Sequence, residues 1–114
     1  MLKYKIPGRK DIEIENLVLD YNGTIAVNGK VLEGVKELLL EIGKYVNIYI
    51  LTADTYGTVS KECKDINGEV LTFPKENAGE SKKHIVKNLG GEKTLCIGNG
   101  FNDILMFKEA ALSI

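Results

Sequence analysis

The sequence predicts an α/β fold, a doubly wound, three-layer parallel sheet with helices on both faces. Two observations predict it. Four short apolar runs, LVLDY (17–21), VNIYIL (46–51), EVLTF (69–73) and KTLCIG (93–98), are rich in β-branched or aromatic residues, as strands buried on both faces require. Helical patterns lie between them, and strand alternating with helix marks a parallel sheet with right-handed crossovers. With 114 residues, the chain reads as one domain, 1–114, burying about two-thirds of its unfolded surface.

The elements follow in chain order. Residues 1–16 predict a β-hairpin, because LKYKI and KDIEI alternate polar and apolar around Pro7-Gly8, a turn pair. After the first buried run, Asn28-Gly29 stands between Ile25-Ala26-Val27 and Lys30-Val31-Leu32. This is a two-residue hairpin signal, so a small β-flap at about 24–32 is expected over the carboxyl edge of the sheet. Val35, Leu38, Leu39 and Ile42 follow i, i+3, i+4, i+7, with Gly43 as the stop, which predicts the first helix. Val59, Cys63 and Ile66 predict a second. Ile85, Val86 and Leu89 predict a third, opened by Lys82 and Lys83 and stopped by Gly90-Gly91. Asn102 is placed to cap a fourth helix running to about Ala110, and ALSI leaves room for the start of a last strand.

Bulk properties narrow the function. Lys and Arg number 15 and Asp and Glu 16, a net charge of -1, so nothing electrostatic favours nucleic acid or an anionic membrane as partner. No apolar run approaches the ~18 residues that span a bilayer. The N-terminus MLKYKIPGRKD has no apolar core of a signal peptide. Cys63 and Cys96 lack paired metal spacing and read as reduced, buried thiols of a cytoplasmic protein.

Polar residues gather where three of the apolar runs end. The first run ends in Asp20, Asn22 and Thr24, the second in Thr52 and Asp54, and the fourth in Asn99, Asn102 and Asp103. Lys82 and Lys83 are placed to point the same way. In open α/β sheets the ligand crevice lies at the carboxyl ends of the strands. A carboxylate, a hydroxyl, a lysine and an Asn/Asp loop around one crevice suit phosphoryl transfer. Asp20 is placed to attack phosphorus and become an aspartyl phosphate. Mg²⁺ takes hard oxygens, offered here by Asp20, Asn22 and the Gly98–Asp103 loop. Thr52 and a lysine would hold the phosphoryl oxygens, and Gly23 and Gly100 let backbone amides come close to them.

DYNGT, ILTAD, Lys82 and GNGFND resemble, in order, the four motifs of the haloacid dehalogenase-like superfamily, whose first motif is usually DxDGT and whose last is often GDGxND. They are more similar still to the phosphorylation domain of P-type ATPases, with DKTGT, LTGD and GDGxNDxPAL, and to the small soluble proteins related to it. The resemblance spans roughly residues 17–114. It implies a Rossmann-like core without a cap domain, and a Mg²⁺-dependent phosphatase or phosphotransferase. In that pattern Asp20 is the nucleophile and Asn22 lends a carbonyl to the metal, with Asn99 and Asp103 as further metal positions. Thr52 and Lys82 bind phosphate, in a cradle formed with Gly23, Ala53 and Asn102. Lacking a cap, the site would be open, acting on a phosphorylated substrate that is large or covered by a second copy of the chain.

Two positions depart from the pattern. Asn22 stands where the phosphatases carry a second Asp that protonates the leaving group. An amide has no proton to exchange, and general acid–base catalysis is typically worth ~10²–10⁴-fold, so slow turnover is expected. Asn99 stands where an acid usually binds the metal; its amide oxygen ligates without charge. Both departures also suit a regulatory or binding module without efficient turnover. Taken singly, the residues have plainer readings: Asp20 in a turn, Thr52 and Asp54 as a helix cap, the lysines solvated. His84 reads as a surface residue and Met106 as packing.

Overall fold

The computed structural model describes residues 2–4, 12–21, 23–27, 30–53, 58–64, 66, 68–74, 76–98 and 103–114. Strands β1 (Leu2–Tyr4) and β2 (Ile12–Ile14) pair antiparallel, with Leu2 opposite Ile14. These are the two arms of the expected N-terminal hairpin; its Pro7-Gly8 turn lies outside the described residues. The chain then enters β3 (Asn16–Asp20). Next comes the flap, β4 (Ala26–Val27) antiparallel to β5 (Lys30–Val31), with its Asn28-Gly29 tip outside the described residues. Helix α1 (Val35–Ile42), β6 (Asn47–Thr52), α2 (Thr58–Glu62), β7 (Glu69–Thr72) and α3 (Ala78–Leu89) follow. A 3₁₀ turn over Gly91–Lys93 leads to β8 (Thr94–Ile97), α4 (Ile104–Glu109) and β9 (Leu112–Ser113).

The main sheet has the order β7-β6-β3-β8-β9, and every pairing in it is parallel. Strands β3, β6 and β7 run outward in one direction; the chain then crosses to β8 on the other side of β3. The order therefore reverses between β3 and β8, and ligands of doubly wound sheets bind at such a reversal, outside the carboxyl ends of the strands.

The pleat sorts the core into two layers, because side chains alternate faces along a strand. Leu17 and Leu19 of β3, with Ile48 and Ile50 of β6, pack with Leu39 of α1 and with Val59, Cys63 and Ile66. Val18 of β3, Leu51 of β6 and Cys96 of β8 pack instead with Val86 of α3 and Met106 of α4. The three-layer expectation is met.

Details differ from the periodic reading. On α1 only part of the predicted stripe is inside: Leu39 is buried and Val35 and Ile42 pack against the core, but Leu38 is 63% exposed. The helix sits on the sheet along a narrower line than four apolar residues suggest. Helix α2 stops at Glu62, so Cys63 and Ile66, both buried, lie just past its end. Helix α3 begins at Ala78, which places Lys82 and Lys83 one turn inside it and not at its opening. The position before α4 is held by Asp103; the Asn102 cap falls outside the described residues. Met106 is fully buried and His84 exposed, as read. Among the described residues no helix is long and apolar enough to cross a membrane.

At the amino edge of the sheet a polar cluster fixes the register. The Asn16 amide donates to the Leu89 carbonyl at 3.0 Å and lies 3.5 Å from the Thr94 hydroxyl. The Asn47 amide donates to Asn16 Oδ1 at 3.3 Å, and Thr94 donates to the Gly90 carbonyl at 2.8 Å. One cluster thus ties β3 to β6, to β8 and to the end of α3. A slip of one residue would turn every side chain to the wrong face, and these bonds oppose it.

The two leucines of α1 separate these contributions. Leu39→Ala should cost about 2–5 kcal/mol in urea unfolding, whereas Leu38→Lys should change stability by less than about 0.5 kcal/mol.

Candidate active site

Asp20 ends β3 at the reversal point, paired in register with Leu51 of β6. Two residues from Val18, it shares the face on which α3 and α4 pack. From that side Lys82 of α3 reaches it, Nζ 3.2 Å from Asp20 Oδ1. The same ammonium donates to Asp103 Oδ1 at 2.6 Å. Lys82 is 2% exposed and Asp103 fully buried. A lysine is almost never buried unless paired, and here two carboxylates hold it.

Room for Asp103 comes from Gly98. This residue follows Ile97, the register partner of Leu19, and so lies level with Asp20. A Cβ at Gly98 would stand 2.5 Å from Asp103 Oδ2 and 3.2 Å from the Phe107 ring. Only a bare backbone lets the buried carboxylate approach.

The turn after Asp20 launches the flap. The Tyr21 carbonyl accepts from the amides of Thr24, Ile25 and Ala26, and Gly23 donates to the Ala26 carbonyl at 2.8 Å. Gly23 has φ 81, a left-handed backbone that glycine adopts without strain. Its amide, expected to approach phosphate, is thus engaged in the turn. Beneath the flap, Glu62 of α2 accepts the Val31 amide at 3.2 Å, which pins β5 to the body of the protein.

Thr52 ends β6, one residue beyond the level of Asp20, and is buried; Ala53 after it packs on the α3–α4 layer. The structure thus brings Asp20, Lys82 and Asp103 into contact and sets Thr52 and Ala53 at the same edge. The predicted roles of Asn22, Asn99 and Asn102, and those of Asp54 and Gly100, fall on residues outside those described.

Three features were missed at the level of sequence. Gly98 was read as part of a loop, and its value lies in what a side chain would strike. Glu62 gave no signal, being one of 16 acids in the chain and set at the end of a short helix. Phe73 just beyond β7 places its ring centroid 5.6 Å from Lys82 Nζ; the hint was an aromatic residue at a strand end, directly before a proline.

Burial lifts the Asp20 carboxyl above its ordinary value of 3.8; the Lys82 ammonium pulls it down, and the Asp103 charge adds to the rise. Burial, with a smaller push from Asp103, also holds the Cys96 thiol up at about 12, so it stays protonated and inert. Asp20, Lys82 and Asp103 together carry two negative charges and one positive charge. Among the described residues no three His, Cys, Asp or Glu side chains converge on one point. A metal here would therefore complete its shell with amide and backbone oxygens or water, as Mg²⁺ does. Two carboxylates with one charge left over fit a hard divalent cation.

The sequence pattern of the haloacid dehalogenase-like hydrolases matches residues 2–111. The chain belongs to that family. A 39-residue stretch is 56% identical to an uncharacterized protein of Methanocaldococcus jannaschii, covering 34% of this chain and 89% of that one. Among solved structures, a HAD family hydrolase from Streptomyces avermitilis superposes with a TM-score of 0.70 at 20% identity, over 89% of this chain and 70% of its own. A phosphoserine phosphatase, solved as an analogue of its phospho-aspartyl intermediate, gives 0.65 at 16% identity, over 89% and 85%. The cobalt-bound deoxy-D-mannose-octulosonate 8-phosphate phosphatase of Haemophilus influenzae gives 0.61 at 14% identity, over 89% and 67%. The fold of this HAD-like chain is thus shared with phosphatases.

Removing the buried cation should be costly. Lys82→Met takes the ammonium from the buried Asp103 carboxylate and from the half-buried Asp20 and should destabilise by about 3–5 kcal/mol in chemical unfolding. Asp20 has the opposite sign. Its carboxyl binds a proton more tightly folded than unfolded, so its charge opposes folding at neutral pH, and this cost fades as pH falls through the raised pKa. Asp20→Asn should therefore raise the melting temperature at pH 7, with the gain vanishing in acid.

Proposed function

We propose that the protein is a phosphatase or phosphotransferase that carries the phosphoryl group on Asp20. The supporting observation is the Lys82 ammonium buried 3.2 Å from Asp20 Oδ1 at the sheet's reversal point. A carboxylate in a shielded crevice, with a fixed cation beside it, is placed to receive a group bearing several negative oxygens.

Ionised Asp20 attacks phosphorus through one Oδ. That P–O bond forms as the bond from phosphorus to the leaving-group oxygen breaks, and the leaving group departs with the electron pair. Lys82 and the Thr52 hydroxyl bind the phosphoryl oxygens and offset their charge. Asp103 holds Lys82 in place from behind. Magnesium, held by Asp20 and Asp103 with oxygens from Asn22 and Asn99, would supply further charge neutralisation. Asn22 cannot protonate a departing oxygen, which favours leaving groups stable as anions, such as acyl and aryl phosphates. Nor can it draw a proton from water, so the aspartyl phosphate is long-lived. The order of DYNGT, LTAD, Lys82 and GNGFND supports kinship with the phosphorylation domain of P-type ATPases. The phospho-aspartyl analogue in the phosphoserine phosphatase of the same fold supports the chemistry.

The amides Asn22 and Asn99 favour a second reading, a phosphate-binding or regulatory module without efficient turnover. Phosphate binding that is unchanged in Asp20→Asn, with no phosphoryl transfer by the wild-type chain, would support it.

Incubation with acetyl phosphate and Mg²⁺ should give a phosphoryl adduct by mass spectrometry, absent in Asp20→Ala; an unmodified wild-type chain would sink the reading. Adduct formation needs ionised Asp20, so its rate should fall in acid with a midpoint above 3.8. Asn22→Asp should speed hydrolysis of the adduct by ~10²–10⁴-fold.

A further inference from the structure

We infer that Phe73 is a positioning residue for phosphoryl transfer, its ring face and backbone amide jointly holding Lys82 and Thr52 in the geometry that receives phosphate. This inference rests on the roles proposed for those two residues.

Phe73 lies just beyond β7, and Pro74 follows it. A proline disfavours helical backbone at the residue before it, so the extended path of β7 continues through Phe73. By the two-residue alternation Phe73 shares the face of Leu71, and both pack in the α3–α4 layer with Val86 and Met106. That is the face into which Lys82 projects.

Two contacts follow from this placement. The Phe73 ring is 8% exposed and its centroid lies 5.6 Å from Lys82 Nζ, within range of a cation–π attraction that strengthens when water is excluded. Asp20 and Asp103 hold the same ammonium at 3.2 and 2.6 Å. The Phe73 amide donates to the Thr52 carbonyl at 3.3 Å. One residue therefore touches both proposed phosphate ligands, Thr52 on β6 and Lys82 on α3.

The ring answers a specific problem. A lysine stem has four carbons and many rotamers, and of the Asp20 and Asp103 contacts the Asp103 one is the shorter. Asp103 alone would draw the ammonium away from Asp20. The ring attracts the ammonium without competing for the phosphoryl group, since an aromatic face carries no net charge. It limits the range of Lys82 while leaving its protons to be shared with an incoming oxygen.

The test replaces Phe73 with phenylalanines carrying one, two and three fluorines, which weaken the negative ring face at nearly constant shape. Alongside stand Phe73→Leu, Phe73→Tyr and Phe73→Trp. The readout is the kcat/KM for phosphorylation by acetyl phosphate with Mg²⁺, with folding checked by circular dichroism. Phe73→Leu should lose about tenfold, the equivalent of ~1.4 kcal/mol, and Tyr and Trp should stay within about twofold of the wild type. The logarithm of kcat/KM should fall stepwise with each fluorine, and that slope should vanish in a Lys82→Met background. A flat fluorine series in a wild-type chain that does form the adduct overturns the role of Phe73 and leaves Asp20 as phosphoryl acceptor. A slope that survives in Lys82→Met overturns it as well, because the ring would then act through another group. Absence of the adduct in the wild-type chain overturns the Asp20 reading and this inference with it.

Discussion

The carboxyl edge of the sheet is organised around a single buried ammonium. An unpaired lysine inside a protein carries a desolvation penalty of several kcal/mol, so Lys82 requires partners on every side it presents. Asp20 comes from the tip of β3, Asp103 from the start of α4, and the Phe73 ring from beyond β7. Each partner belongs to a different element. The packing of α3 on α4 and on the sheet is thereby tied to the polar contacts of the site.

The balance of charge at this point is deliberately incomplete in chemical terms. Among the described residues two acids surround one base, and the acid nearer the opening, Asp20, keeps an elevated pKa because burial outweighs the lysine. A fully neutralised cluster would be more stable and less useful. The leftover negative charge suits a divalent cation, and the exposed side of the same carboxylate suits an electrophilic phosphorus. A carboxyl perturbed by burial and by a specific charge partner in a crevice is a functional-site candidate.

The opposite edge of the sheet supports this arrangement from a distance. Asn16, Asn47 and Thr94 lock β3, β6 and β8 in register, and in parallel strands that register sets which residues end level with one another. Asp20, Thr52 and Gly98 emerge together for that reason. The flap stands on the same frame, rooted at the Tyr21 carbonyl and pinned through Val31 to Glu62.

Much of this was written in local patterns. Short apolar runs and helical spacing placed the strands and helices to within a few residues, and the apolar-to-acid transition at Asp20 marked a strand tip. The resemblance to the haloacid dehalogenase-like motifs picked Lys82 over Lys83, and the structure buries Lys82 beside Asp20 while leaving Lys83 partly exposed. Local pattern misjudged Leu38, since amphipathic spacing cannot tell how narrow a line of contact the sheet offers. It also could not show that Asp103 bonds Lys82, that Gly98 yields space to Asp103, or that Phe73 faces the ammonium. Those relations join residues 5 to 21 positions apart through the crossing of β7, α3, β8 and α4. The sequence by itself determined which elements form and that Asp20, Thr52 and Asp103 stand at one edge, because both follow from short-range periodicity and strand order. The tertiary structure alone decided which groups touch and which carboxyl is held out of its ordinary range, because burial and distance are properties of the packed whole.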